Sequence, residues 1–347
     1  QYAELGINTL SAEDNDLSPV ENARLNAIIH EEMGWGDAGL AMTMTTPGGG
    51  MVTWLANISG REELMNRYDG SNLEERGCWA ITEPDHGSDT LALNQPHFSD
   101  PEIKANCIAV KDGDEYVIRG QKSSWVSGAP IATVMGLYCT IDGNRGFEGG
   151  GVAIVPLDLP GVSKGKPLNK LGQRSMPQGE VFFDEVRIPA DYMIVDQDAY
   201  KMALQGTLTM ANSWMATTFA GVARSAFDLA NAYSKERVQG GKPICEHQSV
   251  KLRLFDMFRK VETASTFARK VSTINNGTDR GQLHHTIAAK TYSTRVAFEV
   301  ASEALQIFGG NGLTKEYPIE KILRDARASM IEDGCNEVLS IVGAEDL

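Results

Sequence analysis

A carboxylate beside a glycine near the end of the chain has the type and setting of a general base. Asp333 precedes Gly334 there, and Cys335 and Glu337 follow closely. A carboxylate that is partly withdrawn from water has a raised pKa and can accept a proton during catalysis. Because an Asp-Gly pair is also a common turn signal, this segment on its own leaves both interpretations open.

Residues 82–89, Thr-Glu-Pro-Asp-His-Gly-Ser-Asp, have the composition of a ligand-binding loop. Pro84 and Gly87 favour a tight turn, which exposes backbone N–H groups beside the hydroxyls of Thr82 and Ser88. Clustered N–H groups form a concavity that binds anions such as a pyrophosphate. An ordinary connecting loop is the alternative.

An indole, a guanidinium and a pair of glycines stand at three further places that suit a flat, phosphorylated cofactor. Trp125, with the hydroxyl of Ser127 nearby, can stack on an aromatic ring and hydrogen-bond to it. Arg237 follows a helical pattern and can grip phosphate with its planar fork. Gly309 and Gly310 permit close approach of a ligand to the backbone. The alternatives are a core tryptophan, a helix-capping cation and a plain helix end.

The glycine pattern and the composition exclude several classes of protein. The turn at 309–312 is not a GxGxxG motif and follows a helical pattern, which argues against nicotinamide binding on a Rossmann fold. The formal net charge of −14 argues against a nucleic-acid-binding protein, which usually carries a basic patch. The six histidines show no metal-ligand spacing, so the sequence predicts no metal site.

The cysteines and the hydropathy bear on the compartment. The five cysteines are scattered without a CxxC motif, which favours free thiols in a reducing compartment. No apolar run reaches the roughly 20 residues of a membrane helix, and no signal peptide is visible. We therefore expect a cytoplasmic protein, or one from another reducing compartment such as a mitochondrial matrix. Because residue 1 is Gln, we also expect the native chain to start further upstream.

Three segments with different secondary-structure patterns must position these residues. Residues 1–77 show mainly helical patterns, and Ser18-Pro19 has the signature of a helix start. Residues 78–195 contain short β-rich runs, with a hairpin signal at 111–114. Residues 196–347 show four long helical stretches. The sequence predicts a multidomain α+β protein with an N-terminal helical domain, a central antiparallel β sandwich or small barrel, and a C-terminal four-helix bundle.

Taken together and in this order, the motifs resemble those of the acyl-CoA dehydrogenase family over nearly the whole chain. The matching segments are 31–33, 82–89, 120–122, 171–174, 181–189, 246–248, 306–312, 316–318 and 324–326. The resemblance implies three domains, one FAD per subunit bound between the β domain and the C-terminal bundle, and a homodimer or homotetramer. It also implies further N-terminal helix before residue 1. The implied acceptor of electrons is an electron-transfer flavoprotein or a similar protein.

The resemblance also assigns roles to individual residues. Asp333 stands at the place of the catalytic base, and Ser88, Asn212 and Gly334 stand at places that contact the substrate. The positions implied to contact FAD are Trp79, Ile81, Thr82, Ser88, Trp125, Ser127, Arg237, Gln248, Gln306, Gly309, Gly310, Cys335 and Glu337. Among them, Arg237 and residues 306–310 would reach the FAD of a neighbouring subunit.

Three positions depart from the family's pattern. The family usually has Glu where this chain has Asp333, although nitroalkane oxidases and some dehydrogenases of cyclic acyl-CoAs use Asp. Asn212 stands where the family has an Arg near the base, and Ala211 offers no carboxylate where some members keep their base. The tryptophan of the flavin strand is displaced by one, with Ser124 at the usual place and Trp125 after it. A misplacement of the base by about 1 Å can cost roughly 100-fold in rate.

We therefore expect an FAD-dependent acyl-CoA dehydrogenase. In that reaction Asp333 removes the α-proton of the thioester, hydride passes from the β-carbon to the flavin, and an enoyl-CoA results. The first alternative is a flavin oxidase acting on a non-thioester carbon acid such as a nitroalkane. The Arg that those oxidases carry downstream of the base has no match at Ser340. The second alternative is a catalytically silent relative that binds FAD or CoA.

Overall fold

The computed structural model describes residues 17–45, 50–72, 74–277 and 281–347, so residues 1–16 of the predicted first domain lie outside it. The helices are α1 (Pro19–Gly36), α2 (Ala38–Thr45), α3 (Gly50–Ser59), α4 (Glu62–Arg67), α5 (Tyr200–Glu236), α6 (Gln248–Gly277), α7 (Leu283–Phe308), α8 (Ile319–Ser329) and α9 (Asn336–Glu345). The strands are β1 (Gly77–Ala80), β2 (Ile108–Asp112), β3 (Glu115–Ser127), β4 (Val134–Thr140), β5 (Gly150–Pro156), β6 (Val162–Lys164), β7 (Gln178–Pro189), β8 (Met193–Val195), β9 (Val238–Gln239) and β10 (Lys242–Pro243). The predicted order of helices, sheet and helices is confirmed.

Two compact units divide the described residues. One, here called the β unit, comprises residues 42–169 and 174–206. The other, here called the helical unit, comprises residues 17–41, 170–173 and 207–347. The short segment 170–173 thus leaves the β-rich part of the chain to join the helices. The division into domains at 1–77, 78–195 and 196–347 stays a prediction.

The β unit is built on one sheet with the strand order β6-β7-β3-β2-β4-β5-β8, and β1 pairs with β4. The predicted hairpin at 111–114 joins β2 to β3, with Asp112 opposite Glu115. The prediction of a wholly antiparallel sheet was wrong, because β1 and β2 both run parallel to β4. Parallel pairing requires a long connection, and the chain between β1 and β4 supplies one. All residues of β4 and β5 are buried, so the core of the unit lies along these strands.

A β-bulge interrupts the pairing of β3 with β7 between Lys122 and Val126. A bulge adds an unpaired residue and re-aims the side chains around it. Trp125 lies within this bulge, and 57% of its surface is exposed. The one-residue displacement of the tryptophan in the sequence therefore coincides with an irregularity of the strand.

Three long helices dominate the helical unit. The helices α5, α6 and α7 have 37, 30 and 26 residues. The prediction of four long helices in this part of the chain was wrong, because the residues after Phe308 divide into the shorter α8 and α9. Asp333 and Gly334 lie between these two with φ of 52° and 92°, a left-handed conformation that a right-handed helix cannot pass through. None of the helices that the structure describes is long and apolar enough to cross a membrane.

A side-chain cap begins helix α1, and a buried carboxylate further along the helix anchors it. Ser18 caps it in a capping box with Glu21, and Pro19 follows the cap, which confirms the predicted start. Further along, the buried carboxylate of Glu31 accepts from Arg269 at 2.7 Å and from Ser265 at 3.2 Å, both on α6. This carboxylate fastens α1 within the helical unit.

Candidate active site

Asp333 lies in a tight turn between α8 and α9, in a left-handed conformation with φ of 52°. Such a conformation costs a residue other than glycine about 1–3 kcal/mol, so the surroundings must hold it. The turn closes where the N–H of Asn336 donates to the carbonyl of Met330 at 3.0 Å. Asp333 is half-buried, which suits a base that is partly desolvated and still accessible to a substrate.

Two neighbouring carboxyl groups in this turn have altered pKa values. Burial raises the pKa of Asp333, and the ammonium of Lys290 opposes that rise. The pKa of Glu332 is raised to about 7, first by burial and then by the negative charge of Asp333. The turn therefore carries two adjacent carboxyl groups whose pKa values are both raised by burial.

Lys290, on α7, donates three hydrogen bonds into the turn. Its Nζ reaches the carbonyl of Glu332 at 3.0 Å, the carbonyl of Gly334 at 2.7 Å and Oδ1 of Asn336 at 3.0 Å. The side chain is completely buried, and burial lowers its pKa to about 8. A buried ammonium with three good acceptors is ordered and stabilises the turn that carries Asp333.

The segment 170–173 supports the turn from its other side. Gln173 donates from its backbone N–H to Asp325 Oδ1 and from its side-chain amide to Glu332 Oε1 at 2.5 Å. It adopts φ of 49°. A Cβ on Gly172 would lie only 2.2 Å from the carbonyl oxygen of Arg324, so this close approach to α8 requires glycine.

Sequence reasoning did not single out Lys290, Glu332 or Gln173 as site residues. Lys290 follows two alanines in a stretch of α7 rich in small and apolar residues, which was the available signal for a buried cation. Gln173 lies in the segment 171–174, which resembles the family's sequence, but the resemblance assigned no role to this residue. Glu332 adjoins Asp333, yet only the fold shows that Glu332 is desolvated.

Asn212, a predicted substrate contact, is buried in α5. Its Nδ2 donates to the carbonyl of Leu208 at 2.8 Å, and its Oδ1 has no hydrogen-bond partner among the described residues. An amide held by its own helix is neutral, so it supplies no cation at the place where the family has Arg. The described hydrogen bonds do not join Asn212 to the 332–336 turn.

The loop 82–89 is fixed by a buried ion pair. Glu83 accepts from Lys122 at 2.6 Å and from the backbone N–H groups of Asn106 at 2.5 Å and Cys107 at 3.0 Å. The N–H of Ser123 donates to the carbonyl of Thr82 at 3.0 Å, so the loop lies beside β3. A satisfied buried pair of this kind fixes the path of the loop.

Six predicted cofactor contacts lie in the β unit. Trp79, Ile81, Thr82, Ser88 and Ser127 are half-buried, and Trp125 is exposed. Trp79 packs edge-on against Tyr138 with ring centroids 5.9 Å apart. Ser127 Oγ accepts from Gln178 at 2.9 Å. The contact between Thr82 and Ser123 brings the loop residues and the β3 residues to one region of this unit.

The remaining predicted contacts lie in the helical unit, and most are at its surface. Arg237, Gln248, Gln306, Gly309, Gly310 and Glu337 are exposed, and Cys335 is half-buried. Gly309 has φ of 60°, and beyond the adjacent residues no atom of the part of the chain that the structure describes lies within 4 Å of the place that a Cβ would take at Gly309 or Gly310. Tyr233 stacks on Phe308 at 4.1 Å and fixes the end of α7 before these glycines. The backbone at 309–310 is therefore open to a ligand.

Comparison with known proteins decides the family. Sequence models of the acyl-CoA dehydrogenase middle domain and C-terminal domain match residues 78–186 and 202–347. The chain belongs to the acyl-CoA dehydrogenase family. As the sequence predicted, the protein is an oxidoreductase that acts on CH–CH bonds and belongs to a family of flavoproteins. Members of this family use FAD.

Individual relatives agree with this assignment. The chain is 30% identical over 324 residues to a cyclohex-1-ene-1-carbonyl-CoA dehydrogenase of Syntrophus aciditrophicus, covering 92% of this chain and 75% of that protein. The structure of butyryl-CoA dehydrogenase from Megasphaera elsdenii matches with a TM-score of 0.81 and 29% identity, covering 92% of this chain and 80% of that one. A glutaryl-CoA dehydrogenase in complex with glutaryl-CoA matches with a TM-score of 0.88 and 26% identity, covering 99% and 85%.

Proposed function

We propose that this acyl-CoA dehydrogenase binds FAD and uses Asp333 to remove the α-proton of an acyl-CoA thioester. The observation that carries the proposal is the turn at Asp333, where a half-buried carboxylate is held in a left-handed conformation beside a buried ammonium. Burial raises the pKa of this carboxyl and makes it more basic, and the cation of Lys290 opposes part of that rise. Lys290 and Gln173 keep its position, and Glu332 beside it titrates near neutral pH.

Each unit, taken by itself, carries residues that suit part of a flat cofactor with a phosphate chain. The exposed indole of Trp125 offers a stacking surface. Thr82 and Ser88 are half-buried on the loop 82–89, although the N–H groups of Glu83, His86 and Gly87 are bonded within that loop. In the helical unit, Arg237 offers a guanidinium, and Gly309 leaves its backbone open. Bound FAD would supply the hydride acceptor, so that the thioester loses a proton to Asp333 and a hydride to the flavin and becomes an enoyl-CoA.

We also propose that the protein assembles as a homodimer or homotetramer and passes its electrons to an electron-transfer flavoprotein or a similar acceptor. Large apolar side chains are exposed on α6, among them Leu252 and Phe255. Exposed apolar groups of this size on one helix are typical of a protein–protein interface. Assembly through such a surface is consistent with Arg237 and Gln306 reaching the FAD of a neighbouring subunit.

The proposal is tested by anaerobic reduction of the flavin. Purified protein reconstituted with FAD is mixed with butyryl-CoA, glutaryl-CoA, cyclohexane-1-carbonyl-CoA and cyclohex-1-ene-1-carbonyl-CoA, and the flavin absorbance is followed. Cyclic thioesters belong in the panel because the relative at 30% identity is named for one. We expect at least one thioester to bleach the flavin and the corresponding enoyl-CoA to form in equal amount.

Nitroethane with oxygen present is the contrasting substrate. Oxygen consumption with nitroethane and no bleaching by any thioester would favour the oxidase alternative. Bound FAD that neither class of substrate reduces would favour the silent relative.

A further inference from the structure

The ammonium of Lys290 bonds to the backbone on both sides of Asp333. Its acceptors at 3.0 Å and 2.7 Å are the carbonyls of Glu332 and Gly334, which are the residues immediately before and after the base. The carbonyl of Glu332 lies in the peptide plane that leads into Asp333, and the carbonyl of Gly334 lies in the plane that follows Gly334. One cation thus holds the backbone before and after the Asp333–Gly334 peptide, which limits how the Asp333 carboxylate can turn.

The third acceptor of Lys290 is itself held. Asn336 accepts from Lys290 at 3.0 Å through Oδ1 and donates through Nδ2 to Thr294 Oγ1 at 3.0 Å, which lies one turn along α7. Thr294 donates in turn to the carbonyl of Lys290 at 2.8 Å. This closed set of hydrogen bonds leaves Nζ little freedom to move away from the turn.

All three acceptors of Lys290 are neutral, and among the described residues no carboxylate forms an ion pair with it. A buried charge without a paired counter-charge is costly, so its field must be balanced by groups that it does not contact directly. The charged and titratable groups that act on it are Asp333, Glu332, Cys335 and Glu337, and Lys170 acts on Glu332 from the segment 170–173. Among these, Asp333 is the group on whose ionisation Lys290 acts most directly.

We propose that Lys290 is a positioning residue for the reaction: its buried ammonium aims the Asp333 carboxylate by holding the carbonyls of Glu332 and Gly334, and its positive charge favours the ionised form of that carboxylate. The inference rests on the proposed role of Asp333 as the base. It predicts that Lys290 acts on the rate of proton removal and on its pH dependence, without contact to the substrate. Loss of the cation removes an attraction for the charged form of Asp333, so the pKa of Asp333 must rise.

The test compares two substitutions that separate charge from hydrogen bonding. Lys290→Gln removes the charge but keeps a donor, whereas Lys290→Met removes both at similar length. Ser293→Ala on the same helix is the control, because Ser293 is buried and lacks a described hydrogen-bond partner. Each protein is compared per bound flavin, by stopped-flow reduction with a thioester over a range of pH.

We expect the acid limb of the rate profile to move to higher pH by about one unit or more in both Lys290 variants. At the high-pH plateau, Lys290→Met should be slower than wild type by about 100-fold, because the base is no longer aimed, and Lys290→Gln should lose less. Ser293→Ala should match wild type in both respects. If Lys290→Met does not fold, Lys290→Gln still measures how far removal of the charge moves the acid limb.

A second readout does not depend on turnover. Infrared titration of protein with an isotope label in the aspartate carboxyl follows the protonation of Asp333, whose band is identified by its loss in Asp333→Asn. The midpoint should rise in Lys290→Gln relative to wild type. An unchanged midpoint together with an unchanged rate per flavin would overturn the inference. If no thioester reduces the wild-type flavin, the proposed function fails, but the infrared midpoints still test Lys290.

Discussion

Asp333 and Glu332 are neighbours in the chain, yet different contacts determine how each one titrates. Lys290 opposes the rise in the pKa of Asp333, whereas Glu332 meets both burial and the charge of Asp333. Gln173 donates an amide N–H to Glu332, which favours the ionised form and opposes part of the rise in its pKa. Burial thus raises the pKa of both carboxyl groups, but a cation opposes the rise in one and a neutral amide opposes it in the other.

The raised pKa of Glu332 predicts a pH-dependent stability. The folded protein keeps this group protonated up to about pH 7, whereas the unfolded chain releases the proton near its ordinary value of 4.5. Stability contributed by the bound proton is therefore lost as the pH rises towards 7. Between about pH 5 and about pH 8, wild type should lose roughly 1–3 kcal/mol in free energy of unfolding relative to Glu332→Gln.

Urea unfolding of both proteins at the two pH values measures this difference. Glu262→Gln, a change at an exposed position of α6, is the control and should follow wild type. Parallel stability profiles for wild type and Glu332→Gln would show that Glu332 is not desolvated.

At the scale of elements, α1 packs on α5 at backbone distance. A Cβ on Gly34 would lie 2.0 Å from the carbonyl oxygen of Thr218, and one on Gly221 would lie 1.9 Å from that of Glu31. Only glycine permits such an approach of two helices. The buried carboxylate of Glu31 then meets Arg269 on α6 and, at 3.5 Å, Arg224 on α5.

Removal of the Glu31 carboxylate should destabilise the helical unit. Its surface is only 1% exposed, so Glu31→Ala removes the buried carboxylate that Arg269 and Ser265 contact, leaves Arg224 with Glu32 alone, and should cost roughly 2–4 kcal/mol. The neighbouring Glu32 is 55% exposed and, among the described residues, pairs with Arg224, and Glu32→Ala should cost less than about 1 kcal/mol. Thermal unfolding of the two variants measures this difference in stability. Equal losses of stability in Glu31→Ala and Glu32→Ala would contradict the anchoring role of Glu31.

The bulge in β3 predicts a role for Trp125 in cofactor retention. A stacked aromatic contact is worth about 0.5–1.5 kcal/mol beyond its area, so Trp125→Ala should weaken FAD binding by roughly 3–10-fold or more. Trp35 is also exposed, but its indole is bound to Asp228 at 2.9 Å in the helical unit. Trp35→Ala should keep the wild-type affinity in a fluorescence titration with FAD. Equal affinities for wild type and Trp125→Ala would exclude stacking at the bulge.

Across the whole molecule, structural features that depend on neighbouring residues could be predicted from the sequence, whereas contacts between distant residues could not. The helix start at Ser18, the hairpin at 111–114 and the turn at Asp333 are local, so residue types alone indicate them. The bonds from Gln173 to Glu332 and from Glu31 to Arg269 span 159 and 238 positions. No local pattern records such pairs, and the parallel pairing of β1 with β4 was missed for the same reason. The candidate base Asp333 could be proposed from the sequence, but the distant groups that contact its turn could not.

The most direct test of the account is anaerobic flavin reduction by a thioester substrate in wild type, Asp333→Asn and Glu332→Gln. Asp333→Asn retains the shape of the side chain but cannot accept the proton, so it should bind FAD and reduce it at least about 1,000-fold more slowly than wild type. Glu332→Gln should stay within about tenfold of wild type, because its role is electrostatic. Unchanged bleaching in flavin-loaded Asp333→Asn, or its loss in Glu332→Gln alone, would contradict the assignment of Asp333 as the base.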